Sequence, residues 1–266
     1  MDAQVASYSA GQIKSVYFPS VTTVAGRLTD LNAAGVGNYG QMATPAAIGS
    51  GGTLHAAGDA GFMPIASAAG GAELRLDLFA PGIQTPCSLS IYERIWSCSG
   101  MSGTSTSAQT ITSFPSLSIP DANGTGLELF WEVFTQIGTT ATTITASYTN
   151  SANTSGRTSI ASNIGATGLR EVYRMGRMPL QVGDGGVKSI ASATLAGTTG
   201  TAGNFGLVLA KKLFTVECGV AFGAETADFA DLAIPLVDNT AALMFVCMAS
   251  TNTSGIVDGT LVIGEA

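Results

Sequence analysis

From residue 73 onward the chain alternates apolar and polar positions with a period of two. Glu73-Leu-Arg-Leu-Asp-Leu-Phe79 sets Leu74, Leu76 and Leu78 on one side and Glu73, Arg75 and Asp77 on the other, the pattern of a half-buried strand. Residues 88–96 form a second, less regular strand. Residues 127–134 place Leu127, Leu129, Trp131 and Val133 on one face and Glu128, Phe130, Glu132 and Phe134 on the other. Acids mixed with aromatics on that second face mean that it too is partly covered. In residues 141–148, Thr142, Ile144, Ala146 and Tyr148 oppose Thr143, Thr145 and Ser147. Further strands are predicted at 187–195, 205–210, 213–220, 241–249 and 260–263, with turn clusters such as Asp121-Ala-Asn-Gly124 and Asp184-Gly-Gly186 between them. A parallel α/β sheet needs helical patterns between its strands, and none recurs. The fold class is mostly β: an antiparallel β-sandwich or jelly-roll-like body over residues 72–266, in one or two β subdomains.

The first 71 residues read differently. Val21, Val24, Leu28 and Leu31 are spaced three, four and three apart, one apolar stripe of a short helix with Ser20 as N-cap and Gly35 as its stop. From Gly35 to Gly71 the chain is nearly all small residues, interrupted by Pro45 and Pro64. Such a stretch builds no core alone, so it is expected to be an extended arm lying on its own body or on a neighbouring subunit. Removing residues 1–70 is expected to leave a soluble β body.

Composition narrows the function classes. Only 11% of the 266 residues are charged, under half of the roughly 25% usual for soluble domains. A hydrophobic content of 45% excludes intrinsic disorder, and a net charge of −7 argues against a nucleic-acid partner. Cys87, Cys98, Cys218 and Cys247 include no C-x-x-C pair, so they read as reduced, buried thiols and not as a zinc or redox site. Met1-Asp-Ala-Gln4 has neither the basic nor the apolar region of a secretory signal. The longest apolar stretch, residues 241–249, is too short to span a bilayer. No membrane association is expected.

Candidate chemistry is sparse. His55 is the one histidine, and Asp59 and Ser102 are the acid and nucleophile it would need for a Ser/His/Asp hydrolase. Gly100-Met-Ser-Gly103 is not a nucleophile elbow, however. Gly35-Val-Gly-Asn-Tyr-Gly40 matches G-x-G-x-x-G literally, but a loop follows it where a dinucleotide site needs a helix. The carboxylate pairs Glu128/Glu132 and Glu73/Asp77 each lie along one strand face and read as solvated or subunit-facing residues, not as a glycosidase pair across a cleft. Trp96 and Trp131 are assigned to the core. Neither a catalytic residue, a cofactor nor a metal is expected. The one charge cluster is Arg170, Arg174 and Arg177, which suits either bidentate contact with a carboxylate-bearing partner or local pairing with Glu171 and nearby acids.

Between residues 89 and 209 several segments recur in a familiar order. They are Ile91-Tyr-Glu-Arg-Ile-Trp-Ser97, Gly100-Met-Ser-Gly-Thr-Ser-Thr-Ser-Ala-Gln-Thr110, Phe134-Thr-Gln-Ile-Gly138 running on to Asn150, Ser155-Gly-Arg-Thr158, Leu180-Gln-Val-Gly-Asp-Gly-Gly-Val187 and Gly200-Thr-Ala-Gly-Asn-Phe-Gly-Leu-Val-Leu209. In this order the chain resembles a group of tailed-bacteriophage virion structural proteins of the head-decoration type. The resemblance implies a capsid decoration (cement) protein on the virion surface, made in the host cytoplasm. It would bind and stabilise the shell of the major capsid protein, assemble with itself as a homotrimer, and carry no catalytic residues. A tail, baseplate or fibre-associated virion protein that binds a host-surface glycan is the alternative.

Overall fold

The period-two segments fold into strands whose pairing makes three antiparallel sheets in the computed structural model, which describes residues 12–35, 37–67, 74–221, 223–228, 234–252 and 254–265. In chain order the elements are β1 (Gln12–Thr22), β2 (Leu28–Asp30), helix α1 (Leu31–Ala34), β3 (Thr53–Leu54), β4 (Leu74–Ile83), β5 (Cys87–Ser97) and β6 (Gln109–Thr110). They continue with β7 (Leu127–Thr135), β8 (Thr142–Asn150), β9 (Arg157–Thr158), β10 (Ser162–Ile164), β11 (Arg174–Met178) and β12 (Val187–Leu195). The last are β13 (Asn204–Cys218), β14 (Gly223–Ala224), β15 (Ala227–Asp228), β16 (Leu243–Ala249) and β17 (Ser254–Glu265).

The central sheet closes on itself. Strands β13, β7, β11, β2, β16 and β5 follow one another, and β5 returns to pair with β13, giving a six-stranded barrel. Closure depends on β13, which is 15 residues long. Its first half pairs with β7, and its pairing with β5 runs from Val208 to Cys218. The β13–β5 register shifts twice, at Leu209/Ala210 and Lys212/Phe214; bulges of this kind bend a strand and add the local twist that a closed sheet requires. Residues 205–210 and 213–220, read from sequence as two strands, are thus one strand interrupted by bulges.

Two further sheets cover the barrel wall from outside. In one, β1, β17 and β4 present Leu76, Phe79 and Leu261 to Ile91, Phe214 and Phe245 of the wall. In the other, β8 and β12 present Ile144, Tyr148 and Ile190 to Leu129, Trp131 and Leu207. The opposite faces of the wall strands point inward, where Tyr92, Phe130, Met175, Val208 and Met244 make a third core. The wall is therefore buried on both sides, which explains the aromatic and apolar content of both faces of β7. Burying one such side chain contributes roughly 1.5–3 kcal/mol. The architecture is a closed barrel flanked by two sheets, where the sequence reading expected a two-layer sandwich or jelly roll.

The predicted helix over residues 20–35 is replaced by sheet. Residues 12–22 pair with β17, and residues 28–30 fill the gap in the barrel between β11 and β16. Val24 to Arg27 make a turn between them, with Gly26 at φ +67°. A helix across this stretch would take β2 out of the wall, so tertiary pairing overrides the local 3-4-3 spacing. Only Leu31–Ala34 is helical, and its N-cap is Asp30, not Ser20. Gly35 does end it, donating its N–H to Leu31 O at 3.1 Å. Residues 37–67 lie on their own body: Met42, Phe62 and Met63 are buried, Thr53 and Leu54 pair with β5, and Ala47 bridges Ser99. The described residues between 12 and 67 thus pair and pack with the strands that follow them.

Candidate functional site

Inside the barrel sits a charged cluster. Alternation along β5 and β7 points Arg94 inward with Tyr92, and Glu132 inward with Phe130. Asp30 joins them at the end of β2. Arg94 Nη1 donates to Asp30 Oδ2 and Nη2 to Glu132 Oε2, each at 2.6 Å, and none of the three side chains is exposed. Asp30 Oδ1 also accepts the Asn32 and Ala33 N–H groups at 2.9 and 3.4 Å, capping α1. Two carboxylates on one guanidinium would bury a net negative charge, which is costly. Burial accordingly pushes both carboxyl groups above their ordinary range, Glu132 up to about 8. Asp30 holds the backbone donors, so the retained proton belongs on Glu132 and the cluster is neutral. The cluster ties the three-residue β2 to β5 and β7. Nothing in it is open to a substrate.

This placement changes the reading of the paired acids. Glu132 is buried in the barrel, not solvated, while Glu128 is half-buried with its Oε1 3.0 Å from Arg177 Nη2. Asp77 pairs with Arg75 on its own strand, and Glu73 lies outside the described residues.

His55, Asp59 and Ser102 are not brought together as a triad. His55 donates its backbone N–H to Ile95 O at 3.0 Å, and its Nε2 lies 2.6 Å from Ser97 Oγ, a buried hydroxyl. Burial first, and then the charge of Arg94, hold the imidazole well below its ordinary pKa, so it is neutral. Asp59 accepts the Ala56 N–H at 2.9 Å, and Ser102 Oγ lies 3.0 Å from Thr104 Oγ1. In the G-x-G-x-x-G stretch, Gly40 donates to Gly37 O in a tight turn, and Asn38 donates its N–H to Tyr17 O on the outer edge of β1 at 3.2 Å. A loop follows it.

Beside His55 lies a cavity of about 110 Å³, which Glu93, Ile95, Ser118, Thr240 and Ala241 also line. Glu93 is 1% exposed, and neither of its carboxylate oxygens has a hydrogen-bond partner among the described residues. Burial pushes its pKa up to about 7, against the pull of Lys211 and with a push from Asp238. The sequence signal for both Glu93 and Arg94 was an ionisable doublet in the middle of a strand, where only one face is normally polar.

The three arginines do not converge. Arg174 and Arg177 lie three residues apart on β11 and so face opposite ways. Arg174 is buried; it donates to the Thr29 hydroxyl and, at 2.9 Å, to Thr22 O. As an exposed partner contact Arg174 is therefore corrected: it braces β11 against β2 and the end of β1. Arg170 is half-buried, 3.6 Å from Glu171 Oε1. Arg177 keeps 60% of its side chain exposed and borders an open groove of about 410 Å³ with Glu128 and residues 178–185. The groove wall is held by Asp184. It accepts from Arg157 Nε at 2.9 Å, Tyr148 Oη at 2.5 Å and Asn150 Nδ2 at 2.7 Å, bonds that hold its carboxyl down to about 2.

No family model matches the sequence, and no curated protein matches it. Among solved structures, the VP2 subviral particle of infectious bursal disease virus overlaps 96% of this chain and 81% of its own at 9% identity, with a TM-score of 0.20. The T=1 particle derived from the same virus gives 8% identity and a TM-score of 0.20, over 96% of this chain and 77% of its own. Overlaps this loose carry no argument about fold or role. Among the described residues, no helix is long and apolar enough to cross a membrane, and no group of three or more His, Cys, Asp or Glu side chains is placed to hold a metal.

Proposed function

We propose that the chain is a bacteriophage virion structural protein, a capsid decoration (cement) protein that binds the major capsid protein and acts by adding contact area, with no bond made or broken. One observation carries this reading: the chain's arginines are turned on its own groups. Five of its seven arginines sit in ion pairs within the chain, and Arg174 is buried on hydroxyl and carbonyl oxygens. On β8, Thr143, Thr145, Ser147 and Thr149 are half-buried hydroxyl residues on one face of the strand. Weakly charged β layers pack closely against copies of themselves and against a lattice without repulsion. The ordered resemblance of residues 89–209 to head-decoration proteins agrees with this, and by the same analogy the assembly unit is a homotrimer. Arg170 and Arg177 are the proposed contacts with acidic groups of the shell. Cryo-electron microscopy of intact particles tests the reading. Density for this chain repeated over the head supports it; a few copies at the tail would replace it with the host-binding alternative.

A further inference from the structure

We propose that the cavity beside Glu93 is a binding site for a primary ammonium group. Glu93 stands on the outward face of β5 between Ile91, which packs under one outer sheet, and Ile95, which packs under the other. It therefore sits at the seam that neither sheet covers. Leu54, Ser118 and Thr240 are exposed and form the mouth, and Glu93 lies buried at the floor.

The floor carries a carboxylate that nothing in the chain satisfies. His55 turns Nε2 to Ser97, the Arg94 guanidinium is engaged inside the barrel, and Thr240 Oγ1 donates to Asp238. Lys211, directly across on β13, makes no ion pair with Glu93 among the described residues. An unpaired buried carboxylate is a group in need of a donor.

Size and lining choose the ligand. The cavity's roughly 110 Å³ is several times the ~10–15 Å³ that one water needs on the same measure. Its walls include Leu54, Ile95, Ile119, Ala241 and Ala242, so the stem of an occupant would meet apolar surface. One carboxylate offers too few oxygens for calcium, which takes six to eight. An alkylammonium brings donors for the carboxylate and an apolar stem for the walls. Its source is either a free amine or a lysine side chain of a partner protein.

The full chain is titrated with propylammonium chloride, with an N-acetyl-lysine methylamide and with potassium chloride at matched ionic strength. Binding is read by calorimetry and by the shift in melting temperature. Saturable binding of both amines means the headgroup suffices; binding of the lysine derivative alone points to a partner's side chain. Either supports the site, provided Glu93→Gln abolishes it. The other charged or titratable groups facing Glu93 are Lys211 from β13, Asp238 from the turn before β16 and His55, which is held neutral. Below pH 7 the incoming ammonium must expel the Glu93 proton, so affinity should rise about tenfold per pH unit up to 7 and level off above it. The heat at pH 6 should also vary with the ionisation enthalpy of the buffer. That proton release is read on the wild-type chain and decides the matter even if Glu93→Gln fails to fold. Absence of saturable binding by either amine, binding undiminished in Glu93→Gln, binding without proton release at pH 6, or equal binding by potassium overturns the proposal.

Discussion

Glu132→Gln should separate the charge of the barrel cluster from its hydrogen bonds. With a pKa raised from 4.5 to about 8 in the folded chain, Glu132 is protonated at pH 5–7, and an amide of the same shape replaces it closely. The folded state binds this proton more tightly than the unfolded one. The group's stabilising contribution is therefore fully present below pH 4.5 and is lost as pH rises through about 8. At about 1.4 kcal/mol per pKa unit, the 3.5-unit difference between those two values amounts to about 5 kcal/mol of stability lost between acid and alkaline conditions. Glu93 and Glu128 are raised by burial as well and slope in the same direction, so the comparison between wild type and variant is what isolates Glu132. Denaturant unfolding at pH 5, 7 and 9 measures it. The variant should match the wild type to within about 1 kcal/mol at pH 5 and be the more stable protein at pH 9. Parallel pH profiles, or a variant several kcal/mol weaker at pH 5, would show that Glu132 is ionised in the native barrel and that the proton assignment is wrong.

Arg94→Met leaves two carboxyl groups facing each other in the barrel, and the expected loss is about 3–5 kcal/mol, measurable as a lowered denaturation midpoint. Gly176→Ala puts a Cβ 2.2 Å from Trp131 Cε2; forced repacking around the indole should cost about 1–3 kcal/mol and shift tryptophan fluorescence. Arg177→Gln removes an exposed guanidinium whose pairing with Glu128 contributes at most about 1 kcal/mol, so the fold should persist while binding to empty shells weakens in a co-sedimentation assay. Deleting residues 1–35 takes away β1 and β2, and the remainder should lose cooperative unfolding in calorimetry; a cooperative, soluble remainder would contradict the role given to β2 in closing the barrel.

What the sequence made legible was local. The strand Thr142–Asn150 follows from the alternation of residues 141–148, and the acid-aromatic face of residues 127–134 already indicated cover on both sides. Barrel closure was not legible, because it depends on β13 pairing with two partners at once and on a three-residue β2 with no periodicity to read. The buried cluster was hidden for the same reason: Arg94 lies 64 residues from Asp30 and 38 from Glu132, and only the closed wall brings them together. The arginines show the opposite error. Adjacency in sequence suggested a patch, yet three residues along a strand reverse the side: Arg174 is buried on the face opposite Met175, while Arg177 shares the face of Met175 and is exposed.

The pairing of β1 with β17 joins the two most distant described strands of the chain; Thr22 and Ser254, 232 residues apart, touch through their hydroxyls. At roughly 5–20 residues per second, a ribosome needs about ten to fifty seconds to make the stretch between them. Throughout that interval β1 is a strand without its neighbour, and the outer sheet cannot close over the barrel. The fold described here can be completed only after translation has passed β17, so in a growing chain topology alone holds that outer sheet open.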